Sequence, residues 1–318
     1  MNKPTIYIDG QEGTTGLRIR EMLGPREDVE VLLIPAEKRK DPEVRAEFLN
    51  RADLSVLCLP DEAARDAVAM IDNPETRIID ASTAHRVSDG WVYGFPEMTP
   101  GQKSRIAAAK RVTNPGCYPT GAIALILPLV DAGIVPPDHP VQINAVSGYS
   151  GGGKSLIARM EDTGNPDPVA SAFFMYGLGL EHKHVPEMQH NARLTHRPLF
   201  APSVGRFHQG MIVQVPLQLW GLPGEPTVAH IQRTLRDYYR ACHFVTVAEG
   251  AGTAARASLL DPEELNHTNH LRLFVFGNED TQQVVLAAQL DNLGKGAAGQ
   301  TIQNLNLMLG LTETAGLE

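Results

Sequence analysis

Cys117 lies in the run Asn114-Pro115-Gly116-Cys117-Tyr118-Pro119-Thr120, between a short β-like stretch and a long apolar helix-like one. A thiol at a helix start meets backbone N–H groups and the positive end of the dipole. Both lower its pKa, so thiolate becomes available near neutrality, and such a thiolate attacks acyl carbons. The same residue could be a small buried hydrophobe in a strand-to-helix turn. Asn, Pro and Gly suit any tight turn, so the motif alone does not separate the two.

A second chemical segment, Glu181-His182-Lys183-His184-Val185-Pro186-Glu187, gathers imidazoles, a lysine and carboxylates. An imidazole beside a thiolate stabilises it as an ion pair and later protonates a developing alkoxide, while a carboxylate fixes the ring's tautomer. His184 is the candidate for that work, although the pattern does not decide between it and His182. The His-x-His pair lacks a third ligand at zinc spacing, so no metal is expected. His190, His196, His208 and His230 read as surface or packing residues.

Two glycine-rich segments could hold phosphates. Strand-like Thr5–Ile8 leads into Gly10-Gln11-Glu12-Gly13-Thr14-Thr15-Gly16 and then a helical stretch, the order that receives a dinucleotide pyrophosphate. The spacing is GxxGxxG instead of GxGxxG, and a plain tight βα turn would use the same glycines. After the second strand, Glu37 stands where NAD enzymes place an acid. Lys38, Arg39 and Lys40 follow it and suit a 2′-phosphate, so the expected cofactor is NADP. The second segment, Gly148-Tyr149-Ser150-Gly151-Gly152-Gly153-Lys154-Ser155, fits the Walker A pattern and makes a P-loop nucleotide-binding protein the alternative reading. Its helix is soon broken by Gly164-Asn165-Pro166, and no strand ending in a magnesium-binding Asp follows. The preferred reading is an anion-binding loop in which Ser150, Gly151 and Lys154 face a phosphate or carboxylate.

The elements that must position these residues fall into two patterns. Thr5–Ile8, Val29–Ile34, Leu54–Leu59, Arg77–Asp80 and Arg111–Thr113 alternate with helical stretches, the βαβ rhythm of a Rossmann-like doubly wound parallel sheet. Helical Ala122–Ala132 then leads to Val141–Val146, Met211–Leu219, Leu271–Gly277 and Gln283–Leu290, which predict an α+β domain with a mainly antiparallel sheet. The tail Ala297–Leu309 has helical spacing after a hinge at Gly294-Lys295-Gly296. The expected organisation is α/β, with an NADP-binding domain at 1–118, a catalytic and oligomerisation domain at 119–293, and a returning helix within 294–318.

Bulk properties narrow the partners. The chain has 318 residues, 42% hydrophobic and 20% charged, with a formal charge of -9, which argues against nucleic acid or an anionic membrane as partner. Three widely spaced cysteines, Cys58, Cys117 and Cys242, suggest neither a disulfide framework nor a zinc site. No leader is expected from the strand-like opening, and no apolar run approaches the ~20 residues needed to span a bilayer. A cytoplasmic protein acting on a small molecule is expected.

Together the cysteine motif, the glycine turn, Ser147-Gly148-Tyr149-Ser150-Gly151, His182–Glu187 and Asp291-Asn292-Leu293-Gly294-Lys295-Gly296-Ala297-Ala298-Gly299-Gln300 resemble N-acetyl-γ-glutamyl-phosphate reductases of the shorter, second type, relatives of the aspartate-semialdehyde dehydrogenases. The resemblance spans nearly the whole chain. It implies NADPH-dependent reduction of an acyl phosphate to N-acetylglutamate 5-semialdehyde in arginine biosynthesis, in a homodimer or homotetramer. By the same resemblance Cys117 forms a thioester, His184 is its acid–base partner and Glu187 orients that histidine. Gly10, Gly13, Thr14, Thr15, Gly16, Lys38, Arg39, Ser82, Asn292 and Gln300 would bind the cofactor. Arg86, with Ser82 and Thr83, would line the cleft beside the nicotinamide, and Arg86, Asn114, Ser150, Gly151, Lys154, His182 and Arg206 would bind substrate or phosphate. The longer type carries an Arg-Gly pair where this chain reads His208-Gln209-Gly210, which leaves Arg206 and Lys154 as candidates for the substrate carboxylate. A cysteine hydrolase using Cys117 and His184 is the third reading, and the dinucleotide turn counts against it.

Overall fold

The computed structural model describes residues 3–317. The chain divides into two compact units, one running to Gly116 and resuming at Ala297, the other Cys117–Gly296. This division places Cys117 and Tyr118 at the start of the second unit. No helix among the described residues is long and apolar enough to cross a membrane.

In the first unit, β1 (Thr5–Asp9), α1 (Thr14–Leu23), β2 (Glu30–Leu32), α2 (Pro42–Arg51), β3 (Leu54–Leu57), α3 (Asp61–Ala69), β4 (Arg77–Asp80), β5 (Val92–Tyr93), α4 (Gln102–Ala108) and β6 (Arg111–Thr113) follow in turn. The six strands pair in the order β2-β1-β3-β4-β6-β5, every pair parallel. Helices on such a sheet bury its strands, and Ile6, Leu54, Val56 and Ile79 are inaccessible. The strand order reverses between β1 and β3, so the turn after β1 opens at the switch point where doubly wound sheets bind ligands.

The second unit is built around α5 (Cys117–Asp131), whose residues from Tyr118 to Leu129 are all buried. A helix apolar on every side is a core element, and α5 packs on strands and helices alike. Gly121 permits its close approach: a Cβ there would stand 2.9 Å from Val213 Cγ2 and 3.2 Å from Ala288 Cβ. Pro128 lies inside this helix and cannot donate to the Ala124 carbonyl. The Tyr239 hydroxyl donates there instead, at 3.0 Å. Around α5 run β7 (Gln142–Gly148), α6 (Gly153–Glu161), β8 (Phe173–Met175), α7 (Val185–Asn191), β9 (Leu199–Gly205), β10 (Met211–Gln218), α8 (Val228–Tyr239), β11 (Val245–Val247), α9 (Ala251–Arg256), β12 (Leu271–Asn278) and β13 (Gln283–Leu290). Their sheet has the order β11-β12-β13-β10-β7-β9-β8. It is antiparallel except at β11/β12 and β7/β9.

The chain then re-enters the first unit as α10 (Gly299–Met308), buried along most of its length although rich in amides. Burial of an amide is tolerated where it is bonded. Gln303 Nε2 donates to Glu97 and Glu313, each at 2.8 Å, and Asn306 Oδ1 accepts from Arg26 at 2.7 Å. Asn304 Nδ2 reaches the Gly94 carbonyl at 2.8 Å and Asn114 Oδ1 at 3.1 Å.

Candidate functional site

Cys117 is the first residue of α5 and partly accessible, while Tyr118 to Leu129 behind it are buried. The thiol therefore stands at the N-terminal end of a fifteen-residue helix, where the positive end of the helix dipole favours an anion. His184 and Glu187 are the N-cap and third residue of α7, both buried and on one face of its first turn. The His184 ring lies 5.9 Å from that of Tyr118, the residue after the cysteine, and 4.8 Å from the His182 ring. His182 Nδ1 accepts from the His184 backbone N–H at 3.1 Å. Burial, reinforced by Lys183, pulls the His182 pKa down to about 4, so this imidazole is neutral at physiological pH.

The segment that fits Walker A is a turn between β7 and α6. Its first N–H groups are already committed: Gly148 donates to Gly210, Tyr149 to Phe207 and Ser150 to His208, at 2.9, 3.0 and 3.0 Å. A P-loop needs such groups free to cradle phosphate, so the geometry disfavours that alternative. Asn292 holds the turn from behind, accepting from Gly210 N–H at 2.8 Å and donating to Ser150 Oγ at 3.0 Å. Gly151 and Lys154 are exposed at its rim. Arg206 points elsewhere, donating to the carbonyls of Met160, Val169 and Ser171 and bracing the segment after α6.

The first unit carries the remaining candidates. Gly10 is left-handed, at φ 85°, and a Cβ on it would strike the Cys58 carbonyl oxygen at 2.3 Å. On Gly16 a Cβ would lie 2.5 Å from the Gly10 oxygen, so both positions require glycine. Gly13 caps α1, and the Thr14 hydroxyl oxygen behind it is buried with no hydrogen-bond partner among the described residues. Thr15 occupies the same first turn. Arg39 crosses to this turn, pairing with Glu12 at 2.6 Å, and with its amide oxygen toward Arg39, Gln11 accepts at 3.2 Å. Lys38 is exposed beside it.

At the end of β4, the buried Asp80 carboxylate accepts from Ser82 N and Oγ, at 2.9 and 2.8 Å, and contacts His85 Nδ1 at 2.6 Å. Arg86 donates to the carbonyls of Asn114 and Ala81, at 2.9 and 3.1 Å. Asn114 Nδ2 in turn donates to Ala297 at 3.0 Å. Arg86 and Asn114 thus brace the backbone that leads into the cysteine motif. Gln300, on α10, is fully buried, and neither its amide oxygen nor its nitrogen has a partner among the described residues. An amide orphaned at both ends is rare in a folded protein and fits a site that a polar ligand completes. With the Thr14 hydroxyl and the glycine cradle, it suits a dinucleotide.

Comparison with known proteins follows the same division. Residues 5–106 match the semialdehyde dehydrogenase NAD binding domain, and residues 117–292 its dimerisation domain. N-acetyl-gamma-glutamyl-phosphate reductases of Brucella suis and Brucella anthropi are each 55% identical over 309 residues, 97% of this chain and 99% of theirs. The chain belongs to the N-acetyl-γ-glutamyl-phosphate reductase family. Its fold is also that of aspartate semialdehyde dehydrogenase II of Vibrio cholerae, with a TM-score of 0.70 at 15% identity over 98% of this chain and 99% of that one.

Within this family setting, the sequence had grouped Cys117, His182, His184 and Glu187, and the fold places them in one unit. Four positions were not legible. Tyr176 meets His182 through its hydroxyl and Tyr118 meets Tyr176 in the same way, Asp80 anchors Ser82 and His85, and Asn304 holds Asn114. Asp80-Ala81-Ser82 carried a local signal, an acid two residues before a serine at a strand end. Tyr176 carried none. Among the described residues no group of three or more His, Cys, Asp or Glu side chains could hold a metal ion.

Proposed function

We propose that this protein reduces N-acetyl-γ-glutamyl phosphate to N-acetylglutamate 5-semialdehyde with NADPH, releasing phosphate, in the cytoplasm and as a homo-oligomer. The observation that carries the reading is Cys117 at the mouth of the buried helix α5, with the aromatic and imidazole cluster of Tyr118, His182 and His184 beside it. The N-terminus of α5 favours the thiolate, whose sulfur attacks the γ-acyl carbon. The C–S bond forms, the bond to the phosphate oxygen breaks, and phosphate leaves toward Ser150, Gly151 and Lys154. Cys117 is left as a thioester.

Gly10, Gly13, Thr14, Thr15 and Gly16 would receive the dinucleotide and Arg39 and Lys38 its 2′-phosphate, with the orphaned Gln300 amide as a further cofactor contact. When bound, NADPH supplies the two electrons and the hydrogen that bring the acyl carbon to the aldehyde oxidation level. His184 gives a proton to the acyl oxygen as charge develops there and takes it back when the C–S bond breaks and Cys117 departs as thiolate. Glu187, buried one turn on, keeps the His184 ring oriented. The reading is tested in reverse: the semialdehyde, NADP and inorganic phosphate should give phosphate-dependent near-ultraviolet absorbance of NADPH. Semialdehyde consumption without that signal contradicts it.

A further inference from the structure

We propose that Tyr176 and His182 are positioning residues for His184: Tyr176 and Tyr118 hold the His182 imidazole as its neutral Nε2–H tautomer, and His182 Nδ1 holds the backbone N–H that precedes the His184 side chain. The direction of each bond in this chain is fixed from both ends. A backbone N–H can only donate, so the His182 Nδ1 that meets the His184 N–H at 3.1 Å carries a lone pair and no proton. The neutral ring's proton is therefore on Nε2, which faces Tyr176 Oη at 3.4 Å. Tyr176 directs its own proton to Tyr118 Oη at 3.2 Å, and Tyr118 directs its proton to the Ser203 carbonyl at 3.3 Å. That carbonyl can only accept, which closes the chain.

Charging His182 would set an Nδ1–H against the His184 N–H, donor against donor. Its surroundings also oppose a second proton. Lys183 is adjacent, the phenols of Tyr118 and Tyr176 are neutral, and the rings of Tyr118, Tyr176, His184 and Phe200 lie at 6.0, 5.6, 4.8 and 5.2 Å. Burial accordingly holds the imidazole in its neutral form. His182 thus cannot be the proton donor. The Val185 N–H bonds the His182 carbonyl at 3.0 Å, and Met188 N–H bonds that of His184 at 3.0 Å, so the backbone N–H that the imidazole accepts lies at the start of α7. Because Tyr118 follows Cys117 directly, the chain links the residue beside the nucleophile to the backbone of the acid–base histidine.

The inference rests on His184 as proton donor, and its test separates the two claims. In the full-length protein with isotopically labelled histidine, nitrogen NMR should show His182 unprotonated at Nδ1 and protonated at Nε2 from about pH 6 to 8. Tyr176→Phe removes the hydroxyl that accepts from Nε2 and donates to Tyr118, and should raise the exchange of that Nε2 proton with water about tenfold or more. In His182→Asn an amide oxygen replaces Nδ1, and this variant should keep a kcat at least about threefold above that of His182→Gln, which puts its amide at the Nε2 end and should lower kcat at least about tenfold. A His182 imidazolium, an Nδ1–H tautomer, an unchanged Nε2 proton in Tyr176→Phe, or equal losses in the Asn and Gln variants with the acidic limb of the pH profile abolished, would each overturn it. If a variant does not fold, the spectrum of the unaltered protein decides. Normal turnover in His184→Gln would sink the proton-donor reading while leaving the tautomer measurement intact.

Discussion

A Cβ built on Gly296 would stand 2.7 Å from the Cβ of Cys117 and 3.2 Å from the Asp291 carbonyl oxygen, so Gly296 lies against Cys117 only because it has no side chain. The Gly296 N–H returns to Asp291 at 2.9 Å, and the buried Asp291 carboxylate accepts from Gln209, His267 and Leu293 at 2.8, 2.7 and 2.8 Å. Neither side of the contact can yield freely. Gly296→Ala should therefore destabilise the protein by about 1–3 kcal/mol through overpacking and displace the thiol, lowering kcat about a hundredfold. Denaturant titration and the rate of Cys117 alkylation check the two effects. Normal kcat would show that the contact does not hold the nucleophile.

Lys154 and Arg206 were equal candidates for an anionic group in the substrate, and the fold separates them. Lys154 is exposed at the rim of the β7–α6 turn, whereas Arg206 is occupied by three backbone carbonyls. Lys154→Ala should raise KM for phosphate or acyl phosphate about tenfold with stability unchanged. Arg206→Ala should instead cost about 1–3 kcal/mol of stability and leave KM near normal. Steady-state kinetics beside thermal melts would expose the reverse pattern.

The proposed 2′-phosphate contact rests on Arg39, which Glu12 and Gln11 hold over the glycine turn. Its guanidinium is arranged in advance for a phosphate. Arg39→Ala should raise KM for NADPH about ten- to a hundredfold and change that for NADH little. Equal losses with both cofactors would remove Arg39 from the 2′-phosphate site.

Acid should weaken the fold in two windows. His182 has a folded pKa of about 4, below its ordinary value, so between about pH 6.5 and 4 the unfolded chain binds a proton that the native state does not, and stability falls as pH falls. His139, also lowered by burial, adds to this window. Glu264 is held down to about 2 by Arg256 and then Arg272, so its contribution is lost from about pH 4.5 downward. Denaturant midpoints across this range should show both slopes, and His182→Asn should flatten only the upper one. An unchanged upper slope in that variant would contradict the assignment.

How much of this was legible in the sequence depends on the range of the interaction. Cys117, His184 and the glycine turn announce themselves because local chemistry and local backbone agree: a thiol at a helix start, imidazoles within a few residues, glycines where a strand becomes a helix. β9 escaped although β10, which also holds an interior proline, Pro216, was read as a strand. Arg206 looked like a ligand because a cation upstream of a strand says nothing of the carbonyls that surround it. Tyr176 lies 58 residues from Tyr118, and Asn304 lies 190 from Asn114. Pairings at such separations are decided by topology, which no spacing rule within a motif contains.

The central claim is covalent catalysis at Cys117, and trapping the acyl-enzyme tests it most directly. N-acetyl-γ-glutamyl phosphate mixed with the protein without NADPH, then quenched in acid and analysed by peptide mass spectrometry, should show an N-acetylglutamyl group on the Cys117 peptide together with a stoichiometric burst of phosphate. Cys117→Ser should abolish both and lower turnover by at least about a thousandfold. A phosphate burst with the Cys117 peptide unmodified, or near-normal turnover in Cys117→Ser, would contradict the account.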